Sequence, residues 1–187
     1  MTDRVPASYA LSIARAFAYY LRPACERLEV AGSIRRRKKT VKDIEIVAIP
    51  RAFVAERDLF GEVTAWNDKI QDCIDDANAR EWPWLQHVKD EHGNDRDGDR
   101  YKMLVDTRTN VRIDLFLVRP PAQWGVIYLI RTGSADFNKK LIAHMDTRGM
   151  KFRDGRLLDK HSKVIDTPEE IDVFKACGVK YKSPEYR

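Results

Sequence analysis

One carboxylate constrains this chain more than any other residue. Val111 to Val118 reads VRIDLFLV, a run apolar enough for a core strand, with Asp114 inside it. An unpaired carboxylate in a buried strand costs several kcal/mol, so the fold must bring it a cation or a strong donor. A salt bridge to one of the many arginines would serve, and so would a metal ion. A second strand is predicted over Asp43 to Ile49, DIEIVAI. Residues two apart on a strand point the same way, so Asp43 and Glu45 share one face while Ile44 and Ile46 take the other. Neighbouring carboxylates stay ionised only beside a cation, and a hard divalent ion with oxygen ligands is the usual solution. An edge strand with an acidic outer face would explain Asp43 and Glu45 alone. Pairing of the two strands would instead bring three carboxylates together, which suits two magnesium ions about 4 Å apart.

Upstream of the acids lies Gly32-Ser33, followed by the basic run Ile34-Arg35-Arg36-Arg37-Lys38-Lys39. A Gly-Ser turn offers backbone N–H groups and a hydroxyl to phosphate oxygens. An arginine three residues on can grip a phosphate with its planar fork. Alone, the basic run reads as a solvated loop or a localisation signal. Joined to carboxylates at this spacing, it reads as a nucleoside triphosphate clamp.

The rest of the pattern is α+β. Helical spacing covers Ala7 to Leu21, with Pro6 before it and Pro23 after it, and a short strand is predicted over Leu28 to Ala31. Asp58 to Ala79 also reads as a helix, with Trp66 on its apolar side, and His92 to Arg100 as a polar loop. Tyr101 to Val105 and Val111 to Val118 form a predicted hairpin. Arg119-Pro120-Pro121 is the candidate boundary between a first domain over 1–120 and a second over 121–187. Beyond it the pattern predicts a helical or mixed segment at Trp124 to Arg131 and a helix at Asp136 to Met145. A hairpin region at Met150 to Leu158 and a helix from Thr167 to Ala176, capped by Thr167, complete it.

Composition narrows the function classes. The 187 residues contain no run of about 18 apolar residues, so no membrane partner is expected. Cys25, Cys73 and Cys177 are odd in number and far apart, which fits no disulfide framework or zinc signature and suggests a reducing, cytoplasmic setting. The four histidines show no metal-ligand spacing. Net charge is +5 over residues 1–50, −7 over 51–99, +3 over 100–123 and +4 over 124–187. Basic ends point to a polyanion such as nucleic acid, or merely to a solvated surface. Trp82-Pro83-Trp84 is a further candidate for stacking on bases or a partner.

Four motifs occur in one order: GS-IRR before DIE, then IDLF, then RTGSADFN, then the ending TPEEIDVFKACGVKYKSPEYR. Together they resemble the palm and thumb of family X DNA polymerases, within the nucleotidyltransferase superfamily. The resemblance covers most of the chain and is weakest over 51–99. It implies a nucleotidyltransferase palm, a mixed sheet with helices on one face, followed by a small α/β thumb, in a minimal form without lyase or fingers domains.

What the resemblance implies for function follows residue by residue. Asp43, Glu45 and Asp114 would be the catalytic carboxylates and ligands of two Mg2+ ions, with Mn2+ able to substitute. Gly32, Ser33 and Arg36 would bind the triphosphate. Thr132, Gly133 and Ser134 would form the turn against the incoming sugar, with Asn138 near the base edge or sugar. Lys139 would lie near the templating base. The chain departs from the family at Glu45, usually Asp, and at Lys42, usually small. Ile130-Arg131 replaces an aromatic sugar-selecting pair, and Ile142 replaces an arginine that reaches the template. The implied activity is low-fidelity, gap-filling or repair-type addition of dNTPs to DNA by a monomer, with room for an accessory DNA-binding or ligase partner. Another acceptor (RNA, protein or a small molecule) and a non-catalytic DNA-binding role remain open at this point.

Overall fold

The computed structural model describes residues 4–61, 63–80 and 82–187, and only the backbone of 53–55, 57 and 63–66. The chain opens with β1 (Val5–Pro6), α1 (Ala7–Leu21), β2 (Cys25–Val30), the single turn α2 (Gly32–Arg35), β3 (Thr40–Val41) and β4 (Asp43–Pro50). Next come β5 (Phe53–Arg57), β6 (Val63–Asn67), α3 (Ile70–Arg80), β7 (Leu85–His87), β8 (Asp97–Gly98), β9 (Tyr101–Asp106) and β10 (Val111–Leu117). The last third holds α4 (Trp124–Thr132), α5 (Ala135–Asp146), β11 (Lys151–Arg153), β12 (Arg156–Leu158), β13 (Val164–Ile165) and α6 (Glu170–Ala176).

The central sheet runs β2-β4-β10-β9-β7, with β8 added on β9. β4 and β10 are parallel and their neighbours antiparallel, so the sheet is mixed. Alternation divides its faces. Ile44, Ile46, Ile113 and Leu115 join one core with Ala14, Phe17 and Leu21 of α1 and Ile70 and Ile74 of α3. Val47, Phe116 and Val118, on the opposite face, pack with Trp124 and Tyr128 of α4. A separate core joins α4, α5 and α6 around Leu129, Met145 and Phe174. The architecture is thus α+β, with α1 and α3 on one side of the sheet and α4 on the other.

Two elements depart from the sequence reading. The segment read as a helix from Asp58 begins instead with the turn and second strand of the hairpin β5–β6, and the helix begins only at Ile70. Gly61 at φ +83 turns that hairpin, and the Asp68 carboxylate accepts from the Ile70 N–H at 2.9 Å to start α3. Short apolar runs fit either period, and the turn decides. Trp66, assigned to the core from spacing, has a side chain outside the described residues. Thr167 does not cap α6. It is buried and donates its hydroxyl to Gln123 Oε1 at 2.5 Å, while Glu169 and Asp172 form a reciprocal capping box. Trp82 stacks on Phe17 with ring centroids 6.1 Å apart, and Arg108 covers Trp84 at 3.4 Å, so both rings already have protein neighbours.

The last third is fastened to the sheet by charged groups. Arg35 donates to both Glu170 oxygens at 2.8 and 2.9 Å and lies over the Tyr128 ring at 3.8 Å. Arg187, with a fully buried side chain, donates to Glu170 at 2.6 Å. Arg27 meets Glu169 in a second two-pronged pair at 2.6 and 2.9 Å and covers Trp124. Burial opposes the charge of Glu170, but the hydrogen bonds from Arg187 and Arg35 prevail and hold its carboxyl below the usual range. Removing one partner from such a buried cluster costs about 3–5 kcal/mol. Glu170→Gln should therefore lose roughly 3 kcal/mol at neutral pH in urea unfolding. A depressed folded-state pKa supplies stability above the ordinary glutamate range that drains away in acid, so wild type and variant should converge as pH falls below about 4. A gap independent of pH would refute this assignment.

Candidate active site

Strand register places the acids. In the parallel pair β4–β10, Asp43 stands opposite Arg112 and Glu45 opposite Asp114. Period-two alternation then puts all four side chains on the face that carries α4. Asp43, Glu45, Asp114 and Arg112 line an open cleft of about 480 Å³ with Tyr101, Phe116 and Arg131. Arg112 bridges two of the acids, donating to Asp43 at 2.8 Å and to Asp114 at 3.0 Å. The Tyr101 hydroxyl donates to the other Asp114 oxygen at 2.5 Å. Asp114 therefore has the salt bridge that its buried position demands. Its carboxyl is raised by burial, partly offset by Tyr101 and Arg112. Glu45 is pushed up to about 7, first by burial and then by Asp43 and Asp114, against the pull of Arg36 and Arg131.

The Gly32-Ser33 turn lies directly on this strand. The Ala31 N–H donates to Glu45 O at 2.8 Å. Gly32 takes a left-handed φ of +62, and a Cβ there would run into the Glu45 carboxylate. Ser33 is half-buried, and its hydroxyl has no hydrogen-bond partner among the described residues. Arg36 reaches across to α4, donating through Nη1 to Thr132 O at 2.5 Å and Gly133 O at 2.7 Å. Burial lowers its pKa, while Glu45 and Asp43 act in the other direction. The two glycine turns expected from sequence are thus joined by one guanidinium.

Around the second turn the side chains are largely committed. Ser134 caps α5, its oxygen accepting from the Phe137 N–H at 3.1 Å. Asn138 donates to Ile130 O at 2.8 Å, and its own side-chain oxygen is buried without a partner among the described residues. Thr132 is buried and accepts from Arg35 at 2.5 Å. Ile130 packs into the α4–α5–α6 core. Arg131 lies over the Phe116 ring at 3.8 Å. Lys139 and Ile142 sit one turn apart on the exposed side of α5.

Residues 127–187 match the family model described as DNA polymerase beta thumb. Over that last third the chain is family X polymerase-like. It is also similar to DNA polymerase lambda of Rattus norvegicus, with 33% identity over 87 residues that cover 41% of this chain and 15% of that protein. The chain therefore spans a small part of that relative's length.

The oxygen donors in the cleft are of the type that a hard cation takes. Three carboxylates share one face, and the raised Glu45 marks an anionic group short of positive charge. Among the described residues no three His, Cys, Asp or Glu side chains stand grouped as a metal site, and Arg112 holds two of the acids instead. The sequence reading missed Arg112, Tyr101 and Arg35. Arg112 was accessible from period two, being two residues before Asp114 on the same strand face. Tyr101 follows from hairpin register, which sets it opposite Phe116. Arg35 depends on Glu170, 135 residues away, and no local pattern signals it. Gly32→Ala tests the packing of the turn on Glu45. A left-handed alanine costs about 1–2 kcal/mol before the carboxylate moves, so denaturant unfolding should show a loss of at least that size. Unchanged stability would mean that the turn does not lie against Glu45.

Proposed function

We propose that the cleft is the catalytic centre of a metal-dependent DNA polymerase that adds dNTPs to a DNA 3′-hydroxyl, in gap-filling or repair-type synthesis of low fidelity. The observation that carries this reading is the registration of Asp114 with Glu45 on the strand face beside Asp43, against a polymerase beta-type thumb. Asp43, Glu45 and Asp114 would hold two Mg2+ ions, or Mn2+. Such ions lower the pKa of an attacking hydroxyl and neutralise a triphosphate. Ser33 contributes a free hydroxyl and Arg36 its uncommitted Nη2 to the phosphates. The Thr132-Gly133-Ser134 turn, tied down by Arg36 and by the Asn138 backbone N–H on Ser134 O, offers the sugar a fixed backbone edge. Asp114, fixed by Tyr101, would face the primer terminus. Lys139 and Ile142 on exposed α5 would meet DNA, and the aliphatic Ile142 cannot donate to the minor-groove acceptors that every correct pair presents.

Asp43→Ala or Asp114→Ala should reduce single-nucleotide extension of a gapped primer by far more than tenfold without loss of fold, while Glu45→Asp keeps measurable activity. An Asp114→Ala enzyme retaining more than about a tenth of the wild-type rate would sink the two-metal reading. A separate expectation concerns the sugar. Ile130 turns into the core and Arg131 lies on Phe116, so neither forms a flat wall beside C2′. GTP should be inserted within about a hundredfold of dGTP on a one-nucleotide gap, roughly 3 kcal/mol or less. A preference for dGTP above about ten-thousandfold would show that the backbone edge alone excludes the 2′-hydroxyl.

A further inference from the structure

The arginines around the cleft differ in how much hydrogen-bonding capacity they keep. Arg35 is spent on Glu170 and Thr132. Arg112 is spent on Asp43 and Asp114. Arg36 has Nη1 on two backbone carbonyls, and its Nε is buried without a partner among the described residues. Arg131 makes no hydrogen bond or ion pair among the described residues; its guanidinium lies over the face of Phe116, 3.8 Å from Cζ to the ring centre. Phe116 is itself stacked on Tyr101, centroids 5.0 Å apart at 22°. Stacking restrains the plane of a guanidinium without consuming its N–H groups, because those donate within the plane. Arg131 therefore presents five uncommitted donors on a firm support at the wall of the cleft that holds the acids.

Its electrostatics agree with that placement. Burial lowers the Arg131 pKa, while Glu45, Tyr101 and Asp114 pull the other way. The side chain still reaches solvent, and none of those three forms a hydrogen bond or ion pair with it among the described residues, so its charge is only partly desolvated and is unpaired. A cation in that condition gains from an anion that brings its own oxygens, and a phosphate accepts from guanidinium through two parallel bonds. The side chain follows directly after Ile130 at the end of α4, so it moves with the turn that Arg36 anchors.

We propose that Arg131 is a phosphate-binding residue of this cleft, which donates to the phosphate oxygens of a nucleotide ligand. The proposal rests on the nucleotidyl-transfer reading for the identity of that ligand. The phosphate can belong to the free nucleoside triphosphate or to the phosphodiester at the primer terminus. Isothermal titration calorimetry separates the two, with dGTP in magnesium buffer in one arm and one-nucleotide-gapped DNA alone in the other. Arg131→Met keeps an unbranched side chain on Phe116 and removes the donors, and Arg131→Lys keeps the charge but not the fork. Arg131→Met should weaken at least one arm by about tenfold or more, and Arg131→Lys should fall between it and wild type. The affected arm names the source. If Arg131→Met fails to fold, Arg131→Lys carries the comparison, and a several-fold loss is expected. Wild-type affinity for both ligands in every folded variant overturns the proposal. If that result accompanies normal primer extension by wild type, this inference falls alone. A wild type that binds dGTP but extends no primer defeats the polymerase reading and leaves the phosphate contact standing.

Discussion

Glu170 sits where a charge is expensive, and the arrangement of the last third of the chain depends on how that expense is met. The carboxylate is almost fully buried and takes two bonds from Arg35 of the short α2 turn and one from Arg187 at the C-terminus. Neither arginine could be buried alone, since a lone desolvated charge costs several kcal/mol. The three groups must therefore be present together or not at all. That requirement draws α6 onto the turn that begins at Gly32, and it sets the distance at which α4 crosses the sheet.

The same turn serves both ends of the molecule. Arg35 faces Glu170, and Arg36, the next residue, faces the carbonyls of Thr132 and Gly133. Gly32 meanwhile rests on Glu45. Five consecutive residues, Gly32 to Arg36, thus link an acidic strand, a helix end and a C-terminal helix. The cleft is therefore not assembled from loops. Its acids stand on two central strands locked by parallel pairing, and its opposite wall is a helix terminus fixed from below by an ion pair.

Much of this was legible in the sequence because it follows local rules. The helix Ala7–Leu21 and the strands bearing Asp43 and Asp114 have clear periods, and register did the rest. The face shared by Asp43, Glu45 and Asp114 follows from period two plus one pairing. What escaped were contacts with no local signature. The Arg35–Glu170 and Arg36–Gly133 bonds join residues 135 and 97 positions apart, so basic residues in a run at 35–39 look alike until the fold sorts them. Asn138 also donates to Ile130 O, a contact without a local signature, because a short amide in the first turn of a helix can reach back to the preceding helix end. The strand β6 was missed for the opposite reason: the apolar spacing from Leu59 onward fits a helix, and a single glycine overrides it.

Gly125 shows how far such constraints reach. A methyl group at this position would strike the backbone carbonyls of Thr167 and Glu169, which cannot swing aside as a side chain can. The hydrogen at Gly125 works as a spacer gauge between α4 and the segment ahead of α6, set to the width of a peptide group. Widening the gauge by one carbon would carry Glu169 away from Arg27 and Glu170 away from Arg35, and through the neighbouring Arg36 the displacement would arrive at the acidic strand. A position that touches no ligand thereby acts as a lever whose short arm is a single methyl and whose long arm ends in the cleft.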